Sequence, residues 1–310
     1  MIEILRPTPQ KLEIFSHPIP RCWVNVFLPT PKELDHLKNH YGVPSDLLEE
    51  LKDPDQISFM EERKDSSFFV LRAPYNDARI PLEYTTVPIG IFVTAEMVIT
   101  ICLYDNEVIG RLKNQRYAFR KTHVVFQLLL SCAKLYLVYL QQIRHKMYEI
   151  ESRLERTLDN NLVMKLLELE KDLVYFDTSL KSNSILIERL IREGTTNKFV
   201  QIRSVEDRKL IENVLDETRQ AIEMSNIYSN ILSNTLDAFA SIISNNLNNV
   251  IKVLTSITIV VSIPMLISSI YGMNVPLPFA HSEHAFLLVM MLSFFVSGMS
   301  VLFLWKRKLI

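Results

Sequence analysis

The sequence predicts an α+β membrane protein: an N-terminal cytoplasmic α/β domain, a long helical stalk and two C-terminal transmembrane helices. Three observations carry this. Strand and helix signals alternate over 1–122. From about 123 the strand signals stop while helical spacing continues. Near the end, 253–271 and 285–305 contain no Asp, Glu, Lys or Arg. These boundaries divide the chain into 1–122 (α/β), 123–252 (stalk), 253–271 (span one), 272–284 (connection), 285–305 (span two) and 306–310 (basic tail).

In the α/β part, "CWVNVFLP" (22–29), "SFFVLRAPY" (67–75), "VPIGIFVT" (87–94) and "MVITICLY" (97–104) are β-rich runs. "TPKELDHLKNHYG" (30–42) opens on Thr-Pro, has helical spacing and stops at Gly. "SDLLEELKD" (45–53) reads as a short helix with Ser45 as N-cap. The chain has only six glycines and no glycine-rich phosphate loop. With no HExxH and no nucleophile elbow either, no enzymatic activity is expected.

The stalk begins with one long amphipathic helix from about 123. A break is expected near Asp159–Asn160, then a second helix. A third starts near Ser204–Glu206, where Ser204 and Asp207 suit capping. It runs uninterrupted into span one. A helix from 205 to 271 would be about 100 Å long at 1.5 Å per residue, so it needs partner helices from this chain and from other copies.

Charge is nearly balanced over the chain, at −1, but unevenly spread. Residues 1–252 hold 31 of the 34 Lys and Arg and 34 of the 35 Asp and Glu, so they form a mildly acidic body of net −3. Nothing here asks for a nucleic acid partner. Cys22, Cys102 and Cys132 are odd in number and widely spaced. They read as buried thiols in a reducing compartment, not as a disulfide or metal framework. The N-terminus shows no secretory signal pattern.

Stretches of 19 and 21 uncharged residues each suit a bilayer core, which takes roughly 20 helical residues. The short connection makes the two spans antiparallel. Lys252 precedes span one, while Lys306, Arg307 and Lys308 follow span two; the connection has neither Lys nor Arg. The positive-inside rule then places both termini and the 1–252 body in the cytoplasm, and an N-terminus without a transit-type pattern makes a plasma membrane the expectation.

Steps of three and four from Asn248 give Ile251, Thr255, Thr258, Ser262, Met265, Ser269 and Gly272. This stripe gathers most of the polar or small residues of span one. Its hydroxyls can bond back to helix carbonyls, support close helix packing, or face water in a pore built from several copies. Spacing alone leaves the three open.

"KVLTSITIVVSIPMLISSIYGMN" (252–274), a short loop, a second span and "WKRK" (305–308) resemble the CorA family of magnesium channels. Gly272-Met273-Asn274 at the exit of the first of two C-terminal spans, behind a long cytoplasmic helix, is the specific part. The resemblance implies a homopentameric funnel with span one lining the pore and Gly272, Met273 and Asn274 as the selectivity filter. It places Asn248 on an inner asparagine ring, Ile251 and Leu254 on a hydrophobic constriction, and Thr255, Thr258, Ser262, Met265 and Ser269 along the pore. Gly272 is expected to let the backbone leave the helix. Glu283 is a candidate attractor at the mouth. The resemblance also implies regulatory Mg²⁺ held between subunits, with Glu61, Glu62 and Asp65 as candidates on the α/β side and Glu212 and Asp216 on the long helix. Where the family pattern calls for an aspartate, this chain has Asn213.

Mg²⁺ is small and gives up its waters reluctantly. A ring of neutral amides can hydrogen-bond those waters while binding weakly enough to release the ion. The expected function is Mg²⁺ uptake, with a Zn²⁺, Co²⁺ or Ni²⁺ transporter of the same family as the alternative. A non-conducting membrane anchor would need no polar stripe.

Overall fold

The structure, a computed structural model, describes residues 1–76, 84–114, 117–157, 159–194, 196–276, 278 and 284–307. The chain divides into two compact units, Met1–Thr235 and Leu236–Ile310.

The first unit is built on a seven-stranded sheet. Its strands are β1 (Ile2–Pro7), β2 (Leu12–Phe15), β3 (Cys22–Phe27), β4 (Phe59–Glu62), β5 (Ser66–Asn76), β6 (Tyr84–Thr94) and β7 (Met97–Cys102), in the order β2-β1-β3-β7-β6-β5-β4. Only β3 and β7 pair in parallel. Strands β1, β2 and β4 were not among the expected runs; each is short or carries charge or proline, which dilutes the period-two signal. The four expected strands are all present.

Alternation along β3 divides two faces. Cys22, Val24 and Val26 join Leu37 of α1 (Pro31–Tyr41), Leu47 and Leu48 of α2 (Ser45–Glu50), and the flanking Val43 and Leu51 in one buried core. Trp23 and Asn25 point the other way into a polar relay. Trp23 Nε1 donates to Thr100 Oγ1 at 2.9 Å, and the Thr100 hydroxyl donates to Asn25 Oδ1 at 3.0 Å. That face is covered by α4 (Lys121–Thr157) and α5 (Asn160–Glu193). Helix α3 (Glu107–Lys113) packs against α4.

Local rules account for the helix ends. Thr30 caps α1 in a capping box with Glu33, Pro31 fills the first turn, and Gly42 closes the helix at φ +66, where a side chain would be strained. For α2 the expectation needs correcting. Pro44 holds the extended N-cap conformation, so Ser45 falls inside the helix and makes no capping bond. Asp159 caps α5 through the amide of Asn161 at 2.9 Å, at the expected break.

By length and composition α4 is apolar enough to cross a membrane, yet 72% of its most apolar window is buried in the protein. Its apolarity serves packing on both the sheet and α5. The three cysteines are buried and unpaired. Burial pushes Cys102 up to about 12 and Cys132 higher, so both stay protonated.

A buried arginine marks where the sheet meets α5. Strand β4 begins at Phe59, which pairs with Val70, so Arg72 lies past its end. Asn183 of α5 replaces the missing neighbour: Arg72 N donates to Asn183 Oδ1 at 3.0 Å and Asn183 Nδ2 donates to Arg72 O at 2.7 Å. The guanidinium donates to Thr86 Oγ1 and to the carbonyls of Pro54 and Thr86. Burial lowers its pKa, though a guanidinium remains charged.

Helix α6 (Val205–Tyr271) is 67 residues long and contains Pro264. Ser204 and Asp207 cap it reciprocally: Asp207 N donates to Ser204 Oγ at 3.0 Å, and Ser204 N donates to Asp207 Oδ2 at 3.2 Å. The second unit holds the α6 residues from Leu236 onward and α7 (Ala285–Lys306). The membrane-length windows of α6 and α7 are only 6% and 11% buried. Such apolar exposure is the condition of a helix whose solvent is lipid or further helices.

Candidate pore-lining face and acidic sites

In the second unit α6 has a covered and a bare side. Ser256 is 2% exposed, and Val260, Ile263, Pro264, Ile267 and Tyr271 are half-buried. These positions recur every three or four residues and so form one stripe. On α7 the covered residues are Ser293, Ser297 and Leu304, again spaced for one face. Serines on both helices suit the small-residue contacts by which helices approach in lipid.

Asn248, Ile251, Leu254, Thr255, Thr258, Ser262, Met265, Ser269 and Gly272 are all exposed. At about 100° per residue, their mean direction lies roughly 180° from the covered side. The face singled out by spacing is therefore among the sides of α6 that this chain leaves bare, most of the helix surface from 241 to 270 being exposed. Beside it, Thr258, Ile259, Ser262, Ile263, Leu266 and Ile267 of α6 and Val296 of α7 line an apolar groove of about 370 Å³. Thr258 Oγ1 donates to Leu254 O at 2.8 Å. That hydroxyl is thus satisfied within its own helix, with its oxygen lone pairs still open as acceptors.

Met273 and Asn274 are exposed beyond the end of α6. Gly272 N still donates to Ser268 O at 3.0 Å, and Met273 N to Ile270 O at 3.2 Å. Gly272 does not adopt a left-handed backbone; among the glycines only Gly42 does. The helix ends there as expected, tightening over its last residues without a left-handed turn. A Cβ at Gly272 would meet Ser268 O at 3.4 Å. Tyr271 steadies the turn, its hydroxyl donating to Pro278 O at 3.4 Å. Glu283 lies outside the described residues.

The acidic candidates form two separate groups within the first unit. Glu61 and Glu62 are consecutive on β4 and so point to opposite faces. Glu61 accepts from Arg63 Nε at 2.7 Å, and Arg63 also pairs with Asp46. Glu62 accepts from Lys198 N at 3.3 Å and Asn197 Nδ2 at 3.4 Å. Asp65 is exposed in the β4–β5 turn. Glu212 and Asp216 are exposed on α6. Asp216 lines a cavity of about 300 Å³ with Asn213, Glu217 and Lys134. Glu217 was not anticipated, although it follows Asn213 by one turn. Among the described residues of a single chain, no three His, Cys, Asp or Glu converge as a metal site.

An α/β unit, a 67-residue helix and two membrane-length apolar helices, with a bare polar stripe ending at Gly272-Met273-Asn274, define a polytopic membrane transport architecture. The family described as "CorA-like Mg2+ transporter protein" matches residues 21–307, and the chain belongs to it. The cobalt/magnesium transport protein CorA of Methanocaldococcus jannaschii is 30% identical over 279 residues, covering 87% of this chain and 85% of that protein. The complete structure of the CorA magnesium transporter from that organism superposes with a TM-score of 0.85 at 27% identity, covering 100% of this chain and 99% of the other. The full-length CmaX protein shares the fold, with a TM-score of 0.70 at 16% identity over 96% of each chain.

Proposed function

We propose that this chain assembles as a homopentamer in the plasma membrane and conducts Mg²⁺ inward, with both termini in the cytoplasm. The single observation that carries the reading is the bare stripe opposite the covered side of α6. Two spans per chain cannot enclose a conduit, so such a face needs other copies.

In the ring, Asn248, Ile251 and Leu254 form the inner constriction, and Thr255, Thr258, Ser262, Met265 and Ser269 line the path. Five Asn274 amides meet the ion at the outer mouth through its water shell. Entry is favoured by an inside-negative potential, about 2.3 kcal/mol per charge per 100 mV, doubled for a divalent ion. Glu283 adds attraction at the mouth.

Gating follows from the acids. Glu61, Glu62 and Asp65 of one subunit face Glu212 and Asp216 of the next, and cytoplasmic Mg²⁺ neutralises the two groups and holds the subunits together. When Mg²⁺ is lost, like charges repel and α6 tilts to widen the constriction. Asn213 between these acids weakens the site relative to one with a further carboxylate.

The relative named as a cobalt/magnesium transporter extends the cargo to Co²⁺, with Ni²⁺ and Zn²⁺ as further competitors. The deciding experiment is Mg²⁺ flux into proteoliposomes by the wild type and Asn274→Ala. Loss of selective flux with an intact pentamer supports the reading, and unchanged flux overturns the filter assignment. Competition by Co²⁺, Ni²⁺ and Zn²⁺ in the same assay ranks the cargo.

A further inference from the structure

At the junction of β3, the β6–β7 turn and the starts of α4 and α6, a cavity of about 370 Å³ is lined by Arg21, Arg120, Lys121, Lys198 and Arg203, with Asp207 as its one acid. Phe119, Phe199, Thr122 and Gln201 complete most of the wall. Five cations line it in a body whose net charge is negative, against Asp207 in the wall and Glu206 and Glu96 beside it.

Their partners account for little of that charge. Arg120 pairs with Glu206 at 2.9 Å and Asp207 at 3.5 Å. The other four have no ion pair among the described residues. Lys121 Nζ donates to the carbonyls of Thr94 and Ala95 at 2.6 and 2.9 Å, and Arg203 Nε donates to Gln201 Oε1 at 2.5 Å; all three acceptors are neutral. The side chains of Arg21 and Lys198 make no hydrogen bond to a described residue. Glu96 also faces Lys121, leaving the cluster clearly positive. Burial and the neighbouring Arg203 and Arg21 lower the Lys121 pKa.

The backbone supports a built site. Arg21 holds φ +62, a conformation an L residue adopts at a cost. Its own amide donates to Glu96 O at 2.8 Å, and Arg6 Nε donates to its carbonyl at 3.1 Å. Strained positions persist where surroundings over-determine them, and this one carries a free guanidinium into the cavity.

We propose that this cavity binds a nucleotide, its phosphates held by Arg21, Lys121, Lys198 and Arg203 and its base set between Phe119 and Phe199. Guanidinium and ammonium groups match phosphate oxygens. Phenyl rings offer a stacking surface that an inorganic ion does not use. The volume lies within the range of small-molecule sites, about 300–1,000 Å³, and exceeds what orthophosphate fills. The site is independent of the pore reading, and its test reads no flux.

The experiment is calorimetric titration of the full-length protein in detergent, at low salt and without Mg²⁺, with ATP, orthophosphate and adenosine. ATP should bind saturably, with orthophosphate and adenosine each weaker by about ten-fold or more, and ATP affinity should fall as salt rises. Arg21→Asn keeps a residue tolerant of positive φ, and Lys198→Gln removes an unpaired charge. Each should weaken ATP about ten-fold, while Lys11→Glu, outside the cavity, should not. Circular dichroism confirms that the variants are folded. Absence of saturable ATP binding, equal binding of orthophosphate, or affinity unchanged in both cavity variants overturns the proposal. So does ATP binding that occurs only once the oligomer is dissociated, since an acidic segment of a neighbouring copy would then be the occupant.

Discussion

Ser256 and Thr258, two residues apart on α6, face opposite ways. Ser256 is 2% exposed on the covered side, while Thr258 is bare and donates to Leu254 O at 2.8 Å. Substitutions at the two sites should therefore separate packing from conduction. Ser256→Leu overfills a closed contact and should cost about 1–3 kcal/mol, seen as a lower melting temperature in detergent. Thr258→Val keeps shape and should leave melting nearly unchanged while altering Mg²⁺ flux.

A charged filter should trade rate for grip. If Asn274 forms the proposed ring, Asn274→Asp would put carboxylates in place of neutral amides, so Mg²⁺ should bind more tightly and leave more slowly. Flux titrations should show half-saturation at lower Mg²⁺ together with a reduced maximum. A raised maximum would contradict the weak-binding argument for Asn274.

The long-helix acids should govern inhibition and not stability. Glu212 and Asp216 are exposed, so Glu212→Gln with Asp216→Asn should shift stability by less than about 0.5 kcal/mol per site. Current through the purified double variant should no longer fall when internal Mg²⁺ is raised. Retained inhibition would move the regulatory site elsewhere.

Asn183 should matter to folding out of proportion to its size. Its carboxamide pairs with both the N–H and the C=O of Arg72. Asn183→Leu strips one buried donor and one buried acceptor of this partner, at about 1–3 kcal/mol for each group left unsatisfied, a loss limited on the amide side by Ser58 Oγ, which also accepts from Arg72 N at 3.1 Å. Tyr136 OH, which also donates to Arg72 O at 3.1 Å, limits the loss on the carbonyl side. Thermal unfolding of the full chain by circular dichroism measures the total.

What could be read in the sequence follows from the range of the interactions involved. The ends of α1 were legible because Thr30, Pro31, Glu33 and Gly42 act within a turn of the positions they cap. The stripe on α6 was legible because a helix preserves its period wherever the chain goes. Strand β4 was not, because its two glutamates hide a four-residue edge strand. Ser45 misled because the extended conformation required of an N-cap is already taken by Pro44. Gly272 was legible as the point where the chain leaves α6, although a glycine permits a left-handed backbone without requiring it. The Arg72–Asn183 pair and the cluster around Arg21 could not be read at all. Their members lie on separate elements, and only the packing of helices and their connections against the sheet brings them together.

Pro264 sits on the covered side of α6, well inside the apolar segment. Without an N–H it leaves the carbonyl of Val260 lacking its helical donor. A helix bends most readily where a rung of its ladder is already missing. The segment from 265 to 271, which leads to Asn274, can thus flex about this hinge without disturbing the turn around Ile251 and Leu254. On the proposed pore reading, ion selection at one end and closure at the other would be mechanically separable along a single helix.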